Sequence, residues 1–196
     1  MNTMNTKVLV TYGTKHGATA EIAQCIAEVL ASRQLNVIVS PVDQIQIDDV
    51  ARYQAVVLGS AVYAGAWQKE AAHFLTANET ILAARRVWLF SSGPTGEADP
   101  ATLMHGWRFP EALQATADRI KPHDIAFFHG KIDTAQLRFP EKLIIKAMNV
   151  QTGDFREWDA IRSWADKIAI VLMAMADENQ AIPELGIEMQ GNSPSS

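Results

Sequence analysis

Two threonines and a glycine near the N-terminus have the types and spacing of an anion-binding turn. A short apolar stretch, residues 8–12, leads into Gly13 and then into a turn that precedes a helical pattern: Thr14, Lys15, His16, Gly17, Ala18 and Thr19. Backbone N–H groups at the start of a helix have no internal partners, and the helix dipole adds partial positive charge there. Glycine lets the backbone curl closely around an anion, and threonine hydroxyls add donors. These residues predict phosphate binding by residues 14–19, which we call the phosphate loop.

The spacing within the phosphate loop excludes two common nucleotide sites. A P-loop needs lysine and then serine or threonine after its second glycine, but Ala18 follows Gly17. The loop also lacks the G-x-G-x-x-G pattern of dinucleotide folds. Lys15 is interpreted as a surface charge in preference to a phosphate neighbour, because such loops bind largely through backbone donors. His16 keeps two interpretations, a backbone hydrogen bond to phosphate or simple exposure. An ordinary strand-to-helix turn without a ligand is the alternative for the whole loop.

The bulk properties of the chain limit the classes of function. Its 196 residues, 48% of them hydrophobic, suffice for one well-packed α/β domain. The net charge of −5 argues against nucleic-acid binding. The single cysteine, Cys25, is expected to be a small buried residue and cannot form an internal disulfide, so we expect a cytoplasmic protein. No apolar run reaches the ~20 residues that span a bilayer, so any membrane contact is expected to be peripheral.

Strand and helix patterns alternate along the chain, which predicts a doubly wound α/β fold. Apolar runs predict five strands, at residues 7–12, 36–42, 55–60, 86–91 and 124–130. Helical periodicity predicts helices at residues 17–33, 67–78, 111–120 and 158–176, with a short one after the acidic connection 43–49. Right-handed crossovers then give a parallel sheet of order 2-1-3-4-5 with helices on both faces. We expect one domain over residues 1–176 and a mobile polar tail over residues 177–196.

A sheet of this kind binds ligands beyond the carboxyl ends of its strands, here at the loops after strands one, three and four. The loop after strand three has small residues around one aromatic residue: Ala61, Val62, Tyr63, Ala64 and Gly65. The loop after strand four is rich in glycine and hydroxyls: Ser92, Gly93, Pro94, Thr95 and Gly96. Small residues let backbone amides approach the edge of a flat polar ring, and Tyr63 or Trp67 could cover its face. The three loops together predict a site for a ligand with a phosphate and a flat ring.

On these residues the chain resembles the flavodoxin-like superfamily, and more narrowly the branch that includes menaquinone-dependent protoporphyrinogen oxidase. The general resemblance rests on the phosphate loop. The narrower one rests on residues 59–67, on residues 90–94 and on a late segment from Gly130 to Trp158, and it covers roughly residues 6–170. Tyr63 stands where the porphyrin-oxidising members carry an arginine.

The resemblance implies noncovalent FMN, with its phosphate in the phosphate loop and its ring between residues 61–65 and 92–96. It also implies an oxidoreductase that passes electrons from a reduced donor, with protoporphyrinogen IX as the candidate, to a quinone. Two alternatives stay open: a non-enzymatic flavodoxin carrier between redox proteins, and an interaction domain without flavin. A carrier should have an acidic rim around the flavin, whereas an enzyme should have an open pocket over the ring.

Residues 131–153 are the insertion that distinguishes this branch. Its apolar residues fall at helical spacing beside Lys142 and Lys146. These apolar residues are Phe139, Leu143, Ile144, Ala147 and Met148. A basic amphipathic helix over residues 137–149 could lie on the inner face of a membrane, where a lipid-soluble quinone is reached. Packing of this stripe on the domain's own core, or on a second copy in a homodimer, is the favoured interpretation.

Other candidate residues carry weaker signals. Residues 107–110 (Trp-Arg-Phe-Pro) are interpreted as a structural turn in preference to the floor of a substrate pocket. Asp154 or Asp159 is expected to cap the final helix, with Trp158 packed inward. Arg156 stays an open candidate for substrate contact. No acid–base residue is identified. No metal site is predicted, because metal-ligand spacing is lacking in the later histidines His105, His123 and His129.

Overall fold

A parallel sheet forms the centre of the computed structural model, which describes residues 6–147 and 150–180. The strands are β1 (Lys7–Gly13), β2 (Asn36–Pro41), β3 (Ala55–Tyr63), β4 (Ala66–Trp67), β5 (Arg86–Ser92), β6 (Asp124–Phe128), β7 (Lys131–Ile132) and β8 (Gly153–Asp154). The parallel strands lie in the order β2-β1-β3-β5-β6, which confirms the predicted order 2-1-3-4-5. Parallel neighbours need crossover connections, and helices supply them.

Helices cover both faces of this sheet. They are α1 (Ala18–Ser32), α2 (Ile47–Val50), α3 (Lys69–Ala77), α4 (Glu79–Ala83), α5 (Pro100–Leu103), α6 (Glu111–Ile120), α7 (Phe139–Ala147) and α8 (Trp158–Gln180). Successive side chains of β1 point to opposite faces of the sheet, so the core has two parts. Val8 and Val10 pack with α1 and α8, whereas Leu9 packs with α3, α4 and α6. Strand residues are apolar on both sides since both faces are covered. The carboxyl ends of β1, β3 and β5 are thereby held along one edge.

The carboxyl end of β3 differs from the sequence prediction. β3 continues through Tyr63 instead of ending at residue 60, and β4 pairs antiparallel with it. Ala64 and Gly65 both have positive φ, 48° and 75°, as a tight two-residue hairpin turn requires. The helix predicted from residue 67 begins at Lys69, because Trp67 belongs to this hairpin. Part of the predicted loop after strand three is therefore strand.

The insertion leaves the sheet through a second hairpin. β7 and β8 pair antiparallel, and α7 lies between them in the chain, within the predicted helix 137–149. Phe139, Leu143 and Ile144 are 74%, 55% and 57% exposed. Packing of this stripe on the domain's own core is therefore wrong for these side chains, whereas packing on a second copy stays a prediction. Glu141 and Ile145 are the residues of α7 that are partly buried instead, and Met148 lies outside the described residues.

The final helix begins at the predicted residue and ends later than predicted. α8 runs to Gln180, four residues beyond the expected end at residue 176. Ile161, Ala165 and Ile168 are buried against the sheet core, which ties α8 to α1. The rest of the predicted tail, residues 181–196, lies outside the described residues. Within residues 6–147 and 150–180, no helix has the length and apolar character needed to cross a membrane.

Candidate functional site

A cavity of about 370 Å³ lies at the edge of the sheet where β1, β3 and β5 end. Most of the predicted site residues line it: Thr14, His16, Ala18, Thr19, Ala61, Val62, Tyr63, Ala64, Ser92, Gly93, Pro94 and Thr95. Four predicted residues do not: Lys15, Gly17, Gly65 and Gly96. Six lining residues were missed, all of them in or beside the insertion: Gly130, Lys131, Ile132, Ile144, Ile145 and Val150. The three predicted loops therefore meet in one place, and the insertion forms a fourth wall.

The phosphate loop has the conformation of an anion-binding turn. Gly17, directly before α1, is left-handed, with φ +83°. Its N–H donates to Thr14 Oγ1 at 3.0 Å, so the threonine hydroxyl closes the turn. The N–H groups of the first three helical residues, Ala18 to Ala20, have no acceptor among the residues that the structure describes. Donors that point out of a helix N-terminus without partners are what a phosphate oxygen requires.

His16 adds a side-chain nitrogen to this set. Its Nε2 is buried and has no hydrogen-bond partner in the described part of the chain. The Oε1 of Glu141, in α7, lies 3.5 Å from this nitrogen, too far for a good hydrogen bond. The side chain of His16 lines the cavity, so the interpretation of simple exposure is wrong. An unpaired buried nitrogen here is available to a bound ligand.

Lys15 belongs to the phosphate loop, but its side chain contacts the insertion instead of lining the cavity. Its Nζ forms an ion pair with Glu141, and it lies 5.7 Å from the centroid of the Tyr63 ring. The hydrogen bond from Lys15, with one from the backbone N–H of Arg138, lowers the pKa of Glu141 to about 2. Burial, and then the charge of Glu141, raises the pKa of Tyr63. Lys15 is thus a rim residue that connects the loop to α7.

The loop after β5 is held from behind by the segment that follows β6. Gly93 N–H donates to the carbonyl oxygen of Phe128 at 3.2 Å, and Gly130 N–H donates to that of Pro94 at 2.9 Å. A Cβ on Gly130 would lie 2.7 Å from the carbonyl oxygen of Gly93, so only glycine allows this approach. Thr95 Oγ1 donates to the carbonyl oxygen of Gln151, at the end of the insertion. The loop is therefore a rigid wall of the cavity.

The aromatic residues divide between rim and core. Tyr63 lines the cavity and is 44% exposed, whereas Trp67 is buried and donates from Nε1 to Ser91 Oγ at 2.8 Å. The interpretation of Trp67 as a ring cover is therefore wrong. Trp107 packs edge-on against Phe127, with ring centroids 5.2 Å apart, and does not line the cavity. Residues 107–110 are irregular, with the turn itself at residues 104–106, and Phe109 packs edge-on against Trp67.

Two other expectations are corrected by the contacts of Asp154 and Cys25. Asp154 lies in β8, and its carboxylate accepts hydrogen bonds from Arg156 instead of capping α8. Arg156 is buried outside the cavity, so it makes no substrate contact there. Cys25 is half-buried rather than buried, and this burial raises the pKa of its thiol. Among the described residues no group of three or more His, Cys, Asp or Glu side chains could hold a metal ion.

Comparisons with known proteins agree with this architecture. The family model for the flavodoxin domain matches residues 9–159. The fold is similar to an archaeal flavodoxin, with 14% identity over 85% of this chain and 99% of that one (TM-score 0.56). It is also similar to the Streptococcus pneumoniae flavodoxin, with 12% identity over 84% of this chain and 99% of that one (TM-score 0.53). No curated protein sequence matches the chain.

A longer protein contains the same fold as one part. The chain is similar to the flavodiiron protein of Giardia intestinalis, with 13% identity over 88% of this chain and a TM-score of 0.56. It covers only 37% of that protein. At these identities the likeness concerns the fold alone.

The residues of the cavity fit FMN, the cofactor of flavodoxin domains. The free N–H groups of Ala18 to Ala20 and the unpaired Nε2 of His16 suit a phosphate. Residues 61–64 and 92–95 flank the space for a flat ring, and Ile144 and Ile145 close another side. The cavity volume lies within the range of about 300–1,000 Å³ that small-molecule sites occupy. FMN would bring the redox chemistry, while the chain supplies binding and access.

Proposed function

This chain belongs to the flavodoxin family, and from that premise we propose that it is an FMN-dependent oxidoreductase linked to quinone. In this proposal a reduced donor, with protoporphyrinogen IX as the candidate, loses electrons and protons. Each quinone takes up two electrons and two protons and becomes a quinol, so the six electrons and six protons that protoporphyrinogen IX loses on becoming protoporphyrin IX reduce three quinones. The observation that carries the proposal is the apolar wall that α7 adds to the cavity.

The walls of the cavity favour a small apolar ligand over a protein partner. Ile144 and Ile145 of α7 stand over the space between the ring-flanking loops. The described lining residues include no carboxylate, and their ionisable side chains are those of His16, Tyr63 and Lys131. A carrier that docks on other proteins is expected to surround its flavin with an acidic rim, whereas here the rim carboxylate of Glu141 is paired with Lys15. An apolar wall beside the ring instead suits a flat, lipid-soluble molecule.

The chain's own residues have three roles in this proposal. The phosphate loop and His16 bind the cofactor phosphate. The strand end at residues 61–63 and the loop 92–95 hold the ring in place between them. The insertion limits water access and leaves one open side for donor and acceptor. No side chain is assigned a catalytic proton transfer.

Peripheral membrane contact through residues 137–149 is part of the proposal. Phe139 and Leu143 are exposed on α7, and Lys142 and Lys146 flank them. An exposed apolar stripe beside cations suits an anionic lipid surface on the inner face of a membrane, and such a surface holds quinone. A homodimer that buries the same stripe is the competing outcome.

The donor half of the proposal is tested by mixing the FMN-loaded protein with protoporphyrinogen IX and a menaquinone analogue without oxygen. We expect porphyrin fluorescence to rise only when protein, FMN and quinone are all present. Ile144→Asp is the informative variant, because it places a charge in the apolar wall outside the phosphate loop. It should slow the reaction when FMN is kept saturating, and a parallel titration with FMN separates this effect from any loss of cofactor. Porphyrin formation at the rate of free FMN would contradict protoporphyrinogen as the donor.

A further inference from the structure

We propose that Arg156 is a positioning residue for the cofactor phosphate. Its guanidinium links β8, the strand that ends the insertion, to the first turn of α1. In that turn it neutralises the carboxylate of Glu21. The proposal concerns cofactor binding, so it rests on FMN as the ligand and not on the proposed donor or acceptor.

The guanidinium of Arg156 is fixed by contacts on several sides. Its side chain is 2% exposed, and its Nε and Nη2 donate to the two carboxylate oxygens of Asp154 at 2.8 and 2.6 Å. The group also lies 4.5 Å from the ring centroid of Trp158, at the start of α8. A planar fork that binds a carboxylate at its edge and stacks on an aromatic face is specific to arginine. Arg156 therefore ties β8 to α8.

The remaining donors of Arg156 reach the phosphate-binding helix. Nη1 donates to the carbonyl oxygen of Ala18 at 3.1 Å, and Nη2 donates to Glu21 Oε2 at 2.8 Å. Ala18 is the first residue of α1, and its own N–H is one of the unpaired donors of the cavity. The guanidinium thus lies against the back of the turn whose front faces the cavity. Movement of Arg156 would change the position of those donors.

Charge gives Arg156 a second effect on the phosphate. Glu21 places a negative charge in the first turn of α1, and its pairs there are Arg156 at 2.8 Å and Lys131 at 3.9 Å. The hydrogen bond from Arg156 favours the charged form of Asp154 and lowers its pKa. Without Arg156, the negative charge of Glu21 would stay in the first turn of α1 with Lys131, 3.9 Å away, as its neighbouring cation. The proposal therefore predicts repulsion of the phosphate in addition to a misplaced turn.

The test compares FMN with riboflavin, which has the same ring and no phosphate. The flavin-free full-length chain is titrated with each flavin, and binding is followed by flavin fluorescence. We expect Arg156→Gln to weaken FMN binding about tenfold and Glu21→Gln to strengthen it about threefold. Each variant changes one charge near the doubly negative phosphate of FMN, and solvent and salt partly screen that interaction. Riboflavin affinity should change less than about twofold in both variants, because it carries no charge to attract or repel.

Matched variants separate this role from a general effect on folding. Arg162→Gln removes the same charge from an exposed position on α8 and should leave both affinities unchanged. Where Arg156→Gln does not fold by circular dichroism, Arg156→Lys and Glu21→Gln carry the test. Equal losses for FMN and riboflavin, or a Glu21→Gln variant with unchanged or weaker FMN binding, would overturn the proposal. A wild-type chain that binds neither flavin would overturn the cofactor as well, whereas the donor and acceptor are not involved in this measurement.

Discussion

Lys15 and Glu141 connect the phosphate loop to the insertion across the rim of the cavity. Both side chains are partly exposed, at 48% and 20%, and ion pairs at such positions contribute little individually to stability. The pair therefore holds α7 near the loop without locking it. This arrangement suits a wall that must let donor and acceptor reach the ring.

The position of α7 should depend on pH through Glu141. The pKa of Glu141 lies at about 2, below its ordinary value of 4.5, because Lys15 and the N–H of Arg138 donate to its charged form. The pair therefore contributes fully above about pH 4.5 and is lost as pH falls through about 2. We expect hydrogen exchange in residues 138–147, corrected for intrinsic rates, to accelerate over that range.

Two variants check this pH dependence. In Glu141→Gln the exchange of residues 138–147 should already be fast at neutral pH and should show no further rise at low pH. Glu111→Gln, an exposed acidic residue in the first turn of α6, serves as the control and should behave as the wild type. Equal pH profiles in wild type and Glu141→Gln would show that the pair does not hold α7.

Gly17 is left-handed in the phosphate loop, and we expect flavin retention to depend on this conformation. Its φ is +83°, a region that asparagine tolerates and β-branched residues avoid, and a Cβ there would meet no neighbour within 4 Å. The cost of substitution is therefore conformational, about 1–2 kcal/mol or more for valine. We expect Gly17→Val to abolish FMN retention and Gly17→Asn to weaken it only moderately, as measured by absorbance of the purified protein.

Gly106 offers a matched control for Gly17. It has nearly the same φ, +85°, and the same open space around a Cβ, but it follows α5 and lies outside the phosphate loop. Gly106→Val should therefore destabilise the fold by a comparable amount and retain FMN. A Gly17→Val protein that stays yellow would contradict phosphate binding by this loop.

At the scale of elements, the insertion is a helix on a two-stranded base. β7 and β8 fix both ends of the segment beside β6, and Phe155 N–H donates to the carbonyl oxygen of Gly130 at 3.2 Å. α7 then turns Ile145 inward and leaves Phe139 and Leu143 exposed. One element thus forms a wall of the cavity and a candidate membrane surface at once.

The exposed stripe of α7 predicts a specific loss of lipid binding. The double variant Phe139→Ser, Leu143→Ser removes two large exposed apolar side chains, so its melting temperature should stay within about 2 °C of the wild type. Its sedimentation with anionic lipid vesicles should fall several-fold, because buried apolar area drives interfacial binding. Ile170→Ser, which alters a 66% exposed side chain on α8, is the control and should bind vesicles as the wild type. Vesicle binding that is absent in all of these proteins would contradict membrane contact by α7.

At the scale of the whole molecule, local signals predict the sheet and the position of its loops. Apolar runs such as residues 55–60 locate strands that are buried on both faces, and parallel topology then brings the loops after β1, β3 and β5 to one edge. The hairpin at Ala64 escaped prediction, because a non-glycine residue with positive φ has no clear sequence signal.

The other features that the sequence did not predict are contacts between residues far apart in the chain. Lys15 and Glu141 are 126 residues apart, and Ala18 and Arg156 are 138 apart. Neither pair leaves a periodic pattern, since each depends on where the insertion folds back over α1. Glu141 had one local signal in the sequence, its place three residues after Arg138. Its Oε2 accepts a hydrogen bond from the backbone N–H of Arg138 at 2.8 Å, as in a capping box at the start of a helix. That signal predicts the start of α7 and not its partner.

The central claim, transfer of electrons from the bound flavin to a quinone, is tested most directly by stopped-flow reoxidation. The FMN-loaded protein is photoreduced without oxygen and mixed with a menaquinone analogue, and the return of oxidised flavin absorbance is recorded. We predict rapid, saturable reoxidation with one quinone reduced to quinol for each fully reduced flavin. Flavin that stays reduced with quinone, yet is reoxidised by a redox protein, would contradict the claim and identify the chain as an electron carrier.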